Sequence, residues 1–216
     1  MRGYHQHCGL AKALDVIGDR WTLLIVRELL IHGGCRYTDL RHGLPDIATN
    51  LLAGRLRELQ EAGVVCREEA PPPIATTLFR LTERGRELES ALLQLGRWGA
   101  PLLGKPSRKD SFRAHWLCLP LKFHIHDRTP WGPPIVIELR AGGQKITVES
   151  DDGSLRIRMG AARDPDAVVT GDPTVILELM AGRLNLARAR AAGLKYEGDA
   201  AILRRVVKSP RPARRS

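Results

Sequence analysis

Hydrophobic residues in the first hundred positions recur at intervals of three and four, which is the spacing of one face of an α-helix. Most of these segments stop at a glycine, a common residue just past a helix end. The pattern predicts five helices, over about residues 8–17, 21–31, 37–42, 49–62 and 82–98. In the fourth helix, Leu52, Leu56 and Leu59 are spaced four and three apart, so they form a single apolar face.

The period changes from helix to strand between the fourth and fifth helices. Val64–Glu68 and Thr77–Leu81 are predicted strands, and Pro71–Pro73 is a stiff tip between them. A short hairpin directly after a helix is the wing of a winged helix-turn-helix, a fold that places one helix in the DNA major groove. The sequence therefore predicts a DNA-binding and dimerisation domain over residues 1–104.

The face of the fourth helix opposite its leucines carries the candidate DNA contacts. If the leucines point inward, then Thr49, Asn50, Ala53 and Arg57 point outward. Asn pairs with adenine and Arg with guanine or phosphate, while a small Ala lets the helix approach closely. Alternatively, Asn50 is a helix cap, with Asp46 as the other candidate cap, and Arg57 is a solvated surface residue. Two further basic residues are candidate DNA contacts outside this helix: Arg36 and Arg80.

Charge changes this picture only slightly. The net charge of +10 favours a polyanionic partner, yet residues 1–105 hold 14 Lys and Arg against 12 Asp and Glu. The excess lies in the second half, including a basic tail over residues 209–216 that we expect to be solvated. The chain has no run of 18 apolar residues and starts without a signal-like apolar stretch, so the expected location is cytoplasmic, away from membranes.

The candidate chemical groups are few. The four cysteines have no CxxC spacing and are expected to be thiols. Cys8, near His5 and His7, is a redox candidate if its thiol is exposed and acidic; otherwise it is a small buried residue at a dimer interface. The histidines around it, and those in His115–Cys118 and His124–His126, are expected to be packed or surface residues, with no metal bound. The sequence contains no GxSxG, GxxxxGK[ST] or HExxH motif, no cofactor is indicated, and we expect no enzymatic activity.

The second half has a different pattern, predicted to form one domain over residues 112–208. Alternating apolar residues and glycine turns predict strands, followed by helices that begin at Asp172-Pro173 and Gly198-Asp199. Pro120 is expected to break any long helix near the start of this half. Strands covered by helices on one face make an α+β layer with a mainly antiparallel sheet.

The first half closely resembles HxlR-type regulators, a winged-helix family related to MarR. The similarity covers about residues 4–99, and its motifs are Cys8–Leu30, Arg36–Arg41, Leu44–Ala48, Leu52–Leu59 and Leu81–Gly85. It implies a homodimer joined through the first and last helices, with the fourth helix on double-stranded DNA. Cys8 occupies a position where many members carry a cysteine, which in some resembles a redox sensor. An apolar stripe on the last helix also suits a partner subunit: Leu88, Leu92, Leu95 and Trp98.

The second half resembles the sterol carrier protein type 2-like domain over about residues 112–207. The matching segments are Asp152-Gly153, Pro165–Ala167, Gly171–Pro173, Met180–Leu184, Ala187 and Glu197–Asp199. Such domains hold lipid-like ligands between sheet and helices; the alternative is that the same side chains fill a closed core. The candidate lining residues are Ile137, Leu139, Ile146, Leu155, Ile157, Ile176, Leu179 and Met180.

Together these features predict an α+β protein: a winged helix-turn-helix followed by a sterol-carrier-like domain. The expected function is that of a homodimeric DNA-binding regulator, a repressor, modulated by an apolar small molecule. Two alternatives stay open: a lipid carrier or sequestering protein whose winged helix mainly dimerises, and a redox-responsive regulator acting through Cys8.

Overall fold

The chain folds into two compact units, Met1–Trp98 and Gly99–Ser216. The computed structural model describes residues 3–69, 76–104 and 110–207. The proline tip at 71–73 and the basic tail at 209–216 therefore lie outside the described residues. Among the described helices, none has both the length and the hydropathy needed to cross a bilayer.

The first unit is a winged helix. Its elements are α1 (Gly9–Ile17), α2 (Thr22–His32), α3 (Tyr37–Gly43), α4 (Thr49–Glu61), β1 (Val65–Glu69), β2 (Thr77–Leu81) and α5 (Glu83–Gly99). Strands β1 and β2 pair antiparallel, with Val65 opposite Leu81. Cys35 joins this hairpin by exchanging both backbone hydrogen bonds with Phe79. The expected helices and wing are thus confirmed.

A core of leucine, isoleucine and valine side chains fixes these elements. Leu52, Leu56 and Leu59 of α4 are at most 1% exposed and pack with Ile25 and Leu29 of α2. Burying each such side chain contributes about 1.5–3 kcal/mol. The core therefore determines which side of α4 is available at the surface.

The helix starts differ from the sequence expectation. The N-cap of α2 is Trp21, in the left-handed region with φ 78°, although Asp19 just before it has the type of side chain that commonly caps helices. Neither Asn50 nor Asp46 caps α4: the N-cap is Ala48, Asn50 lies in the first turn, and Asp46 adopts φ 69° in the preceding turn. Tertiary contacts outweigh the local capping preference at both positions.

The second unit is a five-stranded sheet with helices. Its elements are α6 (Cys118–His124), β3 (Ile135–Ala141), β4 (Gln144–Asp151), β5 (Ser154–Met159), β6 (Ala167–Thr170), α7 (Pro173–Met180), α8 (Leu186–Ala191), β7 (Lys195–Gly198) and α9 (Ala200–Val206). The strand order is β5-β4-β3-β6-β7. All neighbours pair antiparallel except β3 and β6, which are parallel.

Local chemistry accounts for several boundaries in this unit. Asp172 caps α7 by accepting from the Thr174 amide at 2.8 Å, and Asp199 caps α9 through the Ala201 amide at 2.8 Å. Pro120, expected to limit helix formation, lies in the first turn of α6, where an amide proton has no partner within the helix. The α+β fold class is confirmed for the chain.

A buried ion pair joins the start of this sheet to its last helix. Asp127 accepts two hydrogen bonds from the Arg205 guanidinium, at 2.8 and 2.7 Å, and others from the Thr129 amide and the Ser150 hydroxyl. The Asp127 side chain is fully buried and that of Arg205 is 9% exposed. These hydrogen bonds, above all the one from Arg205, hold the pKa of Asp127 well below its usual range.

Candidate functional sites

Helix α4 has two faces of different character. Thr49, Asn50, Ala53 and Arg57 are exposed together on one face, while the three leucines lie in the core. The structure thus brings these four predicted residues together. We name this exposed set the reading face: Thr49, Asn50, Ala53 and Arg57. Their contact with DNA stays a prediction.

The N-terminal end of α4 is held by α3. The Tyr37 hydroxyl donates a 2.7 Å hydrogen bond to the Thr49 carbonyl, and the Asn50 carboxamide oxygen accepts from the Leu51 amide at 2.9 Å. The N-cap residue, Ala48, has no side chain that could accept from the first amides of the helix. Amides at a helix start favour anions, so this end suits a DNA phosphate.

The two basic candidates outside α4 have different surroundings. Arg36 is exposed at the N-cap of α3, where its backbone amide donates to the Asp39 carboxylate at 2.9 Å. Arg80 donates from its guanidinium to the Gly33 carbonyl at 2.7 Å and forms an ion pair with Glu68. Arg80 therefore braces the hairpin against the end of α2, a structural contact that the sequence did not predict.

A second surface in the first unit is apolar. Leu10 on α1 is 69% exposed, and Trp98 on α5 is 74% exposed. Leu95 on α5 is also exposed, whereas Leu88 and Leu92 of the predicted stripe pack against the unit's own core. Only the C-terminal end of the predicted stripe is therefore exposed and available to a partner. We name the exposed set the apolar surface: Leu10, Leu14, Leu95 and Trp98.

The thiols fall into two groups. Cys8 is exposed at the N-cap of α1, and hydrogen bonds from the Ala11 and Leu10 backbone lower its pKa. Cys35 and Cys118 are buried, and burial raises the pKa of each thiol to about 12. Cys8 is thus not a buried residue within its own subunit.

The histidines singled out in the sequence differ in exposure and surroundings. His5 and His7 are exposed near Cys8, and His126 is exposed after α6. His115 is buried, and His124 packs against Phe123 with ring centroids 4.4 Å apart.

The second unit contains an apolar layer. Directly paired residues of neighbouring strands project to the same face; the pairs Ile137–Val148, Leu139–Ile146 and Val148–Ile157 therefore put the sheet's predicted lining residues on one face. Leu155 lies on this face opposite Ser150. Ile137, Leu139, Ile146, Ile176, Leu179 and Met180 are at most 1% exposed, whereas Leu155 and Ile157 are half-buried.

The other face of the sheet is polar, and its charges are paired. Glu138 accepts from Arg140 at 2.5 Å and from the Ala162 amide at 2.8 Å. Arg158 donates twice to Glu149, at 3.2 and 2.7 Å. This face is satisfied internally, so the apolar face is the candidate ligand-binding side of the unit.

A winged helix that exposes one polar helix face defines a DNA-binding transcriptional regulator. This chain belongs to the HxlR-like helix-turn-helix family, which matches residues 16–106. Residues 127–208 match the SCP-2 sterol transfer family.

The chain is similar to several named proteins. The chain is 34% identical over 87 residues to the uncharacterized HTH-type transcriptional regulator YvaP of Bacillus subtilis, covering 40% of this chain and 80% of the relative. It is 36% identical over 109 residues to the uncharacterized HTH-type transcriptional regulator Rv3095 of Mycobacterium tuberculosis, covering 50% and 68%. Among solved structures, the reduced form of the transcriptional regulator YodB from B. subtilis is 26% identical with a TM-score of 0.40, covering 47% of this chain and 100% of that one.

Two ion pairs could not be predicted from the sequence pattern. Arg55 of α4 is bound to Asp19, and Arg205 to Asp127. The partners are separated by 36 and 78 positions. Periodicity reports which face a residue occupies, but not its distant partner.

Proposed function

We propose that this transcriptional regulator acts as a homodimeric repressor whose α4 helix enters the DNA major groove through its reading face. The observation that carries this is the division of α4 into a leucine face in the core and an exposed face with Asn50 and Arg57. The major groove, about 12 Å wide, admits one helix, and the two side-chain types form paired hydrogen bonds to adenine and guanine. Repression would follow from occupancy of an operator.

The apolar surface supports dimerisation. Leu10, Leu14, Leu95 and Trp98 are exposed on two helices of one unit, and large exposed apolar side chains favour a protein partner. A two-fold dimer presents two copies of α4 to half-sites about 34–36 Å apart along DNA. Sedimentation tests this proposal. We expect the wild type to be a dimer and Trp98→Glu to be a monomer, and a monomeric wild type would contradict the proposal.

A quantitative gel shift tests the reading face. Operator fragments would first be selected from genomic DNA with the full chain. Arg57→Ala should weaken binding about 5- to 150-fold if Arg57 contacts a base edge. If Arg57 contacts a phosphate, the loss of affinity should be similar on all DNA sequences. The slope of log affinity against log salt concentration should then fall in magnitude by about one.

The matched control is Arg84→Ala, which removes the same charge from an exposed arginine on α5. It should bind the operator as the wild type does. The proposal is wrong if Arg57→Ala and Asn50→Ala both leave affinity and sequence preference unchanged.

For the second unit we propose an apolar, lipid-like ligand held between the sheet and α7. Support comes from the SCP-2 match, from the one-sided sheet, and from α7, which contacts β3 and buries Ile176 and Leu179. Such a ligand would regulate DNA binding only if it prefers one dimer state, because equal affinity for both shifts nothing.

Mass spectrometry of small molecules that co-purify with the intact protein tests this ligand. We expect an apolar compound that competes with a fluorescent fatty acid and changes operator affinity when added back. Ligand binding without any effect on DNA, together with no operator binding, would favour a lipid carrier whose winged helix only dimerises. A protein that binds neither native compounds nor the fluorescent fatty acid has a closed core.

A second candidate is redox regulation through Cys8. Its thiol is exposed and its pKa is lowered by the start of α1, the two properties that favour oxidation of a thiol. Peroxide should release DNA from the wild type but not from Cys8→Ser. Equal release from both proteins would eliminate this candidate.

A further inference from the structure

A small ion-pair cluster ties α4 to the turn between α1 and α2. The Arg55 guanidinium donates through one nitrogen to the carboxylates of Asp19 and of Glu58. Arg55 is 18% exposed, whereas Asp19 is 55% exposed. Arg55 and Glu58 are on α4, so the contact with Asp19 is the one that reaches another element.

The turn that supplies Asp19 is anchored in the core by Trp21. Trp21 has φ 78°, a backbone conformation rare for residues with a Cβ, and its half-buried indole packs on the core. The Arg20 guanidinium lies over the indole, 5.6 Å from the ring centroid. At Gly18, an added Cβ would lie 2.5 Å from the Leu14 carbonyl oxygen. Asp19 is therefore held at a fixed place relative to the end of α1.

The position of Arg55 around the helix axis gives this contact its significance. With 100° per residue, Arg55 lies beside the leucine face, away from Asn50 and Arg57. The leucine core sets which side of α4 is buried, and the lateral ion pair to the turn adds a preference for one rotation of the helix within that packing. A rotation of about 20° moves a side chain about 5 Å from the axis by about 2 Å, which is enough to misplace a base contact.

We infer that Arg55 is a positioning residue that fixes the rotation of the reading face, with Asp19 as its anchor. This inference rests on the proposed reading of DNA by α4. Because exposed pairs contribute only about 0–1 kcal/mol to stability, Asp19 acts on DNA recognition more than on folding.

The test measures binding of the full chain to its operator and to unrelated DNA of equal length. Asp19→Asn and Arg55→Gln should each lower the ratio of the two affinities by up to about fivefold, because the loss cannot exceed the roughly 1 kcal/mol that the pair contributes. Binding to unrelated DNA should change only slightly and in opposite directions, because Asp19→Asn removes a negative charge and Arg55→Gln a positive one, so a lowered ratio in both variants reports lost positioning. Asp19→Arg combined with Arg55→Asp re-forms the pair in reverse and should restore most of the ratio.

Controls separate positioning from a general loss of structure. Thermal unfolding identifies any unstable variant, and Asp19→Asn, a change at a half-exposed side chain, is the decisive one. Glu58→Gln keeps the contact with Asp19 and should lower the ratio less. Wild-type ratios for Asp19→Asn and Arg55→Gln, or no recovery in the reversed pair, would overturn the inference.

The result also distinguishes this inference from the proposed function. If Arg57→Ala weakens operator binding while Asp19→Asn does not, α4 reads DNA and the positioning role is wrong. If neither variant changes binding, the proposed reading by α4 fails as well.

Discussion

The buried pair of Asp127 and Arg205 makes the second unit sensitive to a single substitution. Asp127→Asn preserves shape, and its oxygen can still accept from the Thr129 amide, but it leaves the Arg205 charge without its counterion. Breaking a buried pair costs about 3–5 kcal/mol. Since Arg205 also donates to the Pro133 carbonyl at 2.6 Å, we expect the lower value, about 3 kcal/mol. That is a large part of the 5–15 kcal/mol typical of a domain.

Hydrogen exchange of the full-length protein in increasing denaturant measures this loss. Peptides from β3 and β4 report on the second unit, and peptides from α4 are the internal control. A suitable control substitution is Glu178→Gln, which breaks the more exposed pair with Arg183; it should cost at most about 1 kcal/mol. If Asp127→Asn costs no more than Glu178→Gln, the importance assigned to the buried pair is refuted.

The same pair predicts a pH dependence. The pKa of folded Asp127 is depressed by the Arg205 hydrogen bonds, so the unfolded chain takes up a proton at higher pH than the folded one. The stabilisation is therefore complete above the ordinary carboxyl pKa of about 3.9 and decreases as the pH falls below it. The stability difference between wild type and Asp127→Asn should be constant from neutral pH to about pH 5 and shrink below pH 4.

Three further outcomes follow from burial. Leu56→Ala in the core of α4 should cost about 2–5 kcal/mol in thermal unfolding. Gly85→Ala should cost about 1–3 kcal/mol in urea unfolding, since its Cβ would meet the Val64 carbonyl. Brief iodoacetamide treatment of the native protein near pH 8, followed by peptide mass spectrometry, should label Cys8 and leave Cys35 and Cys118 largely unmodified, because their pKa is raised to about 12.

The sequence was most informative where a periodic pattern met a core. The spacing of Leu52, Leu56 and Leu59 predicted both the extent of α4 and its exposed face, because helix geometry alone converts spacing into direction. Alternation did the same for the strands of the second unit. In both cases the buried face is specified by many similar side chains, so a single atypical residue does not change the outcome.

The sequence was uninformative where the partner of a side chain is a residue far away along the chain. Asp19 has the side chain of a helix cap, yet its carboxylate binds Arg55. The Arg80 guanidinium binds Gly33 and Glu68, contacts that the sequence did not reveal; its contact with DNA stays a prediction. Each competing partner lies far along the chain, and the local pattern contains no trace of it.

The distribution of partners separates structural charges from those available to a ligand. Arg140 and Arg158 on the polar face of the sheet bind carboxylates of their own unit, and so does Arg55. Within the ranges that the structure describes, Arg57 has no such counterion. An exposed arginine on a fixed helix face, beside the small Ala53 and without an intramolecular carboxylate, keeps its full attraction for an external anion. This difference, rather than the net charge of the chain, favours α4 as the surface that meets DNA.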